Sequence, residues 1–203
     1  MNNKDHWYDG WLYDVMIAPR LDGLFGRVKN FIEPGSAVVD IGCGTGRLSL
    51  ALADKCGSVL GVDLSRRNIA RANLVLARGR HSNVTFRHTD AGQAFQAGEH
   101  FDYAVMTLML HEVPPAERAG LLLEAARVAD KIIIGDYLVP APGLLLGALV
   151  ETVEFSAGAD HYRNYKDFVR GGGIPGLAAG AGLTIVKEIK NSPPVTHLAL
   201  LSR

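Results

Sequence analysis

The stretch Val38-Val39-Asp40-Ile41-Gly42-Cys43-Gly44-Thr45-Gly46-Arg47 decides the fold. An apolar run ends in Asp40, and glycines follow at alternate positions 42, 44 and 46. Leu48-Ser49-Leu50-Ala51-Leu52-Ala53 then reads as a helix. Strand, glycine turn and helix in that order place a ligand site at the carboxyl end of a parallel strand. Glycine serves where the backbone takes positive φ or must let a ligand approach.

Working outward, Leu21, Leu24, Phe25, Val28, Phe31 and Ile32 share one helical face, and Glu33-Pro34-Gly35-Ser36 ends that helix. Downstream, Ser58 to Val62 reads as a buried strand ending in Asp63, and Ser65 as the cap of the next helix. Further strands are expected at 83–87, 101–106 and 131–136, with a helix opened by Pro114-Pro115 before the last of them. Residues 88–99 read as a loop or weak helix. This alternation implies an α/β fold with a parallel sheet. Past Asp136 the rhythm breaks, and residues 137–163 read as an insertion over the site rather than a second domain. A helix broken at Gly171-Gly172-Gly173 is expected over about 164–181. The runs 183–189 and 196–201, separated by only Asn191 to Val195, should pair as an antiparallel hairpin.

Composition narrows the function classes. The 203 residues fit one domain, with 48% hydrophobic residues and 21 basic against 21 acidic side chains. With no basic cluster, nucleic acid has no electrostatic handle, and a small molecule is the expected partner. Cys43 and Cys56 read as buried thiols, and no Cys/His spacing predicts a metal site. The longest greasy stretch, 138–150, is broken by Pro140, Pro142 and Gly143 and is too short to span a bilayer. A cytoplasmic monomer or homodimer is the expectation.

Asp40 with Gly42-x-Gly44-x-Gly46, Asp63 after the second strand and Asp90 after the third resemble the motifs of class I S-adenosylmethionine (SAM)-dependent methyltransferases. Leu108-Met109-Leu110-His111-Glu112-Val113 resembles that family's segment after the fourth strand. The resemblance implies a Rossmann-like seven-stranded sheet of order 3-2-1-4-5-7-6, the last strand antiparallel, with helices on both faces. It implies that Asp40 orients the loop and the methionine amino group, and that Gly42, Gly44 and Gly46 lie under SAM. Asp63 would bind the ribose hydroxyls and Asp90 the adenine amine. Cys43, Leu64, Ala91 and Leu108 would complete the pocket. Residues 1–32 would form an N-terminal lid and helix, with Tyr8 and Tyr13, beside Trp7 and Trp11, covering the sulfonium; a docked helix is the alternative. The Trp7-to-Asp14 segment resembles the lid that precedes the core in quinone-type and other small-molecule methyltransferases.

The resemblance also implies the chemistry: in-line methyl transfer to a small acceptor, leaving S-adenosylhomocysteine; the apolar 144–150 segment makes a hydrophobic acceptor one reading. No covalent intermediate is needed, so alignment and proton removal are the enzyme's tasks. His111 is the expected general base or acceptor orienter, with His161 second. Their alternative is a structural histidine. Tyr137, Glu151 and Glu154 are possible pocket residues, against the alternative of solvated glutamates. The apolar 144–150 segment reads as an acceptor surface, an amphipathic lid, a dimer contact or a buried core helix. Two other functions stay open: a non-catalytic SAM-binding regulatory module, and a nicotinamide-dependent oxidoreductase whose ribose Asp63 would hold. GxGxG in place of GxGxxG argues against the latter.

Overall fold

The computed structural model describes residues 18–90, 95 and 98–203. Helix α1 (Ala18–Phe31) leads into β1 (Ala37–Ile41), α2 (Arg47–Leu52), β2 (Ser58–Asp63), α3 (Arg66–Leu76) and β3 (Val84–His88). Then come β4 (Phe101–Thr107), α4 (Pro115–Val128) and β5 (Ala129–Tyr137). Three helices follow, α5 (Leu144–Ser156), α6 (Ala159–Arg170) and α7 (Gly173–Gly180), before β6 (Thr184–Lys190) and β7 (Thr196–Ser202). The strands form one sheet of order β3-β2-β1-β4-β5-β7-β6. All neighbours are parallel except β7, which runs antiparallel to both β5 and β6. This is the order and polarity that the motifs imply.

Strand periodicity sorts the core into two layers. Val38, Val59, Val105, Ile133 and Leu198 pack with Leu24 and Val28 of α1 and with Leu48 and Leu52 of α2. Their neighbours Val39, Leu60, Ala104, Met106, Ile132, Ile134 and Ala199 face Leu122 of α4, Phe168 of α6 and Ile174 of α7. The central strands are covered on both faces, which is why they read as continuous apolar runs.

Three local outcomes refine the sequence reading. Ser65 caps α3, accepting from the Asn68 N–H at 3.3 Å. The expected broken helix is two helices, and the first starts at Ala159, earlier than the spacing implied, because Gly158 breaks the chain at φ 116°. Gly172, at φ 83°, starts the second. The apolar 144–150 segment is not a core helix: α5 buries only Val150 and Glu154, and Leu144 and Leu145 are 96% and 84% exposed. Among the described residues no helix is long and apolar enough to cross a membrane.

Candidate active site

Strands β1, β2 and β5 each carry an aspartate at or near the carboxyl end, and these aspartates organise the site. Asp40 is 1% exposed. Ser49 Oγ, from α2, donates to its Oδ2 at 2.6 Å. Its Oδ1 is buried without a hydrogen-bond partner among the described residues. Burial pushes the Asp40 carboxyl up to about 7, against the Ser49 hydrogen bond and with a further push from Asp63. An orphaned buried oxygen costs free energy, and this one offers an acceptor to a further donor.

The glycine turn runs past this oxygen. Gly42, Gly44 and Gly46 have φ of 72°, 54° and 82°. Their reasons differ. A Cβ at Gly42 would lie 2.9 Å from Met109 Sδ, and one at Gly46 would lie 2.4 Å from Phe86 Cζ. Those two positions are closed by the protein's own packing. Among the described residues a Cβ at Gly44 meets nothing within 4 Å, so none of them fills the space in front of this glycine. Asp63 fixes the turn by accepting from the Gly44 N–H at 2.8 Å, and its other oxygen accepts from the Ser65 N–H at 2.7 Å. Each oxygen keeps a lone pair for a further donor.

The other predicted cofactor residues are distributed as follows. Leu64, beside Asp63, is 70% exposed. Its carbonyl is 3.0 Å from His88 Nε2. Asp90 is exposed just past β3. Cys43 is buried and its thiol is pushed up by burial, then by Asp40 and Asp63, so it is inert packing. Leu108 adopts φ 50° at the end of β4, an unusual conformation for a branched side chain. Tyr8, Tyr13 and Ala91 lie outside the described residues, as do Trp7 and Trp11.

A second cluster lies beyond β4 and β5. His111 is 3% exposed, and its Nδ1 is 2.7 Å from Asp136 Oδ1. Asp136 Oδ2 accepts from the backbone N–H groups of Leu110 and His111. The His111 Nε2 faces Glu112 Oε1 at 3.7 Å and Glu154 Oε2 at 3.8 Å. Burial opposes charge on this ring, but Asp136, Glu112 and Glu154 outweigh it and hold the imidazole up at about 9. Glu154 is 1% exposed and hydrogen-bonds His161 through Oε2, while Tyr137 donates to its Oε1 at 2.7 Å. Glu154 is therefore no solvated surface glutamate. Burial works against its charge, but His161, His111 and Tyr137 keep its carboxyl low. Glu151 instead pairs with Lys166 on α6. Arg118 fastens α6 by donating to Asp167 Oδ1 at 3.0 Å and to the carbonyls of Val113 and Asn164 at 2.9 and 2.6 Å.

The two predicted histidines thus meet, with ring centroids 5.7 Å apart. Asp136 was missing from the sequence reading. Its signal was available: an aspartate ending the run Ile132-Ile133-Ile134-Gly135, as Asp40 and Asp63 do in β1 and β2.

Residues 38–131 match the family model described as a methyltransferase domain. That part of the chain is therefore similar to a methyltransferase domain. It is 31% identical over 101 residues to a demethylmenaquinone methyltransferase of Shouchella clausii, a match covering 48% of this chain and 42% of that protein. It is 37% identical over 95 residues to a ubiquinone biosynthesis O-methyltransferase of Rhizobium rhizogenes, covering 46% and 38%. The matched part is less than half the length of either relative. Among solved structures, the PH0226 protein of Pyrococcus horikoshii aligns over 97% of both chains with a TM-score of 0.72 at 22% identity. Magnesium protoporphyrin IX methyltransferase of Synechocystis, solved with bound SAH, aligns over 94% of this chain and 85% of its own, with a TM-score of 0.66 at 21% identity. These likenesses share the fold.

Proposed function

We propose that this chain is a SAM-dependent methyltransferase acting on a small organic acceptor. The observation that carries the reading is the orphaned Asp40 Oδ1 beside the open face of Gly44 and the Asp63 carboxylate. An ammonium group satisfies the first, a close-lying ligand backbone fits the second, and a vicinal diol suits the third. SAM offers an ammonium, a ribose diol and a transferable methyl on a sulfonium. Asp40 would hold its amino group and Asp63 its ribose, with Leu64 against the adenine and Asp90 at the exocyclic amine.

The acceptor belongs at the carboxyl end of β4, where Leu108 turns the chain toward His111. His111, His161 and Tyr137 would orient it and exclude water. Alignment for in-line displacement supplies much of the rate in such a reaction. The test is label transfer: incubation with methyl-labelled SAM and panels of hydroxylated, aminated and carboxylated small molecules should yield labelled product and S-adenosylhomocysteine. SAH binding without turnover of any acceptor would favour the regulatory module. NAD binding in its place would favour the oxidoreductase.

A further inference from the structure

The motifs of the superfamily leave Glu154, His161 and Asp136 unexplained. We propose that His111, Glu154 and His161 form a binding site for one divalent transition-metal ion of the Zn²⁺ class. One ligand atom from each residue lies within 4.8 Å of the others, and all three side chains are buried. The His111 Nε2 is 3.8 Å from Glu154 Oε2. A tetrahedral ion with ligand bonds of about 2.1 Å sets neighbouring ligand atoms roughly 3.4 Å apart, so the ion would take the place of the His161–Glu154 hydrogen bond, with His161 moving outward. Two imidazoles and one carboxylate are a known catalytic zinc set that leaves a fourth position free.

The surroundings match what a metal requires of its outer ligands. Asp136 accepts from His111 at Nδ1, which directs Nε2 toward Glu154. Tyr137 holds Glu154 through Oε1, and Oε2, which accepts from His161 Nε2, would turn to the ion when His161 binds it as a neutral imidazole. The electrostatics agree: three carboxylates, Asp136, Glu154 and Glu112, converge on His111. Asp136 and Glu154 are buried and Glu112 is partly exposed, a setting that favours positive charge at His111 Nε2.

The residues come from separate elements. His111 follows β4, Glu154 is on α5 and His161 on α6, so the ion would tie both helices to the sheet edge. In methyl transfer, a role that rests on the reading above, the free position would bind an acceptor oxygen. The ion would displace that oxygen's proton to solvent. The oxygen lone pair would then form the bond to the methyl carbon while the carbon–sulfur pair leaves with sulfur.

The test uses the whole chain, treated with chelator, dialysed and titrated with Co²⁺ and then Zn²⁺. One equivalent of Co²⁺ should bind with visible d–d absorption and be displaced by Zn²⁺. His161→Ala and Glu154→Gln should each weaken binding at least 100-fold, and Tyr137→Phe by about 10–100-fold as an outer-sphere partner. Circular dichroism checks that each variant folds, and His161→Asn replaces any that does not. No stoichiometric metal in the wild type, or equal affinity in His161→Ala, would overturn the site. SAH titrated in parallel separates the readings: metal-free protein that binds SAH loses only the metal, and metal-binding protein that ignores SAH loses only the methyltransferase reading.

Discussion

Asp63, at the end of β2, reaches across to accept the backbone N–H of Gly44 at 2.8 Å. The carboxylate proposed for the ribose is therefore also the strut of the glycine turn. Removing it disturbs cofactor and loop together. Asp63→Ala should cost SAH affinity about 1.5–3 kcal/mol for the lost charged hydrogen bonds. Titration calorimetry reads this directly, and unchanged affinity would remove Asp63 from the ribose role.

The glycines separate packing from ligand approach. Gly46→Ala drives a Cβ to 2.4 Å from Phe86, so it should lower the melting temperature strongly. Gly44→Val meets no atom of the described residues near its Cβ. It pays only for a positive φ, on the order of 1–2 kcal/mol, yet should abolish SAH binding. Thermal melts and binding titrations on both variants check the contrast. Normal SAH binding by Gly44→Val would mean the ligand does not pass there.

Asp40 makes binding and stability depend on pH. Its carboxyl is raised from 3.8 to about 7 by burial. The folded chain keeps a proton that the unfolded chain releases above about pH 4, so stability falls as pH rises toward 7 and levels off beyond it. An ammonium placed on Oδ1 favours the charged form. SAH binding near pH 6 should therefore release a proton, seen as a dependence of binding heat on buffer ionisation enthalpy. Asp40→Asn should remove both the release and this part of the pH slope.

Arg118 holds the roof of the histidine cluster. It is 3% exposed and joins α6 to the loop after β4. Arg118→Met should leave the Val113 carbonyl without its side-chain donor, at about 1–3 kcal/mol if it stays buried, and remove the ties to Asp167 and Asn164 of α6. Hydrogen exchange should then quicken across α6 more than across β1. Equal protection in both proteins would show that α6 is held by its apolar face alone.

The sheet order and the placing of Asp40, the glycine turn and Asp63 at the strand ends were legible because their signals are local. Asp40 and the glycines sit within one strand-turn-helix step, Asp63 ends the next strand, and Ser65 caps the helix after it. The second cluster was only half legible. His111 follows a recognisable strand, but Glu154 lies in an apolar helix and finds His161 and Tyr137 through tertiary packing. Nothing in the local pattern of α5 says which residue turns inward. The exposure of Leu144 and Leu145 has the same origin: an apolar run fixes a helix, not the face that is covered.

The most direct test is titration calorimetry of the full chain with SAH, against NAD as competitor and with Gly44→Val in parallel. The account predicts one SAH per chain, undisturbed by NAD and lost in the variant. No binding of SAH by the wild type, or displacement of SAH by NAD, would contradict it.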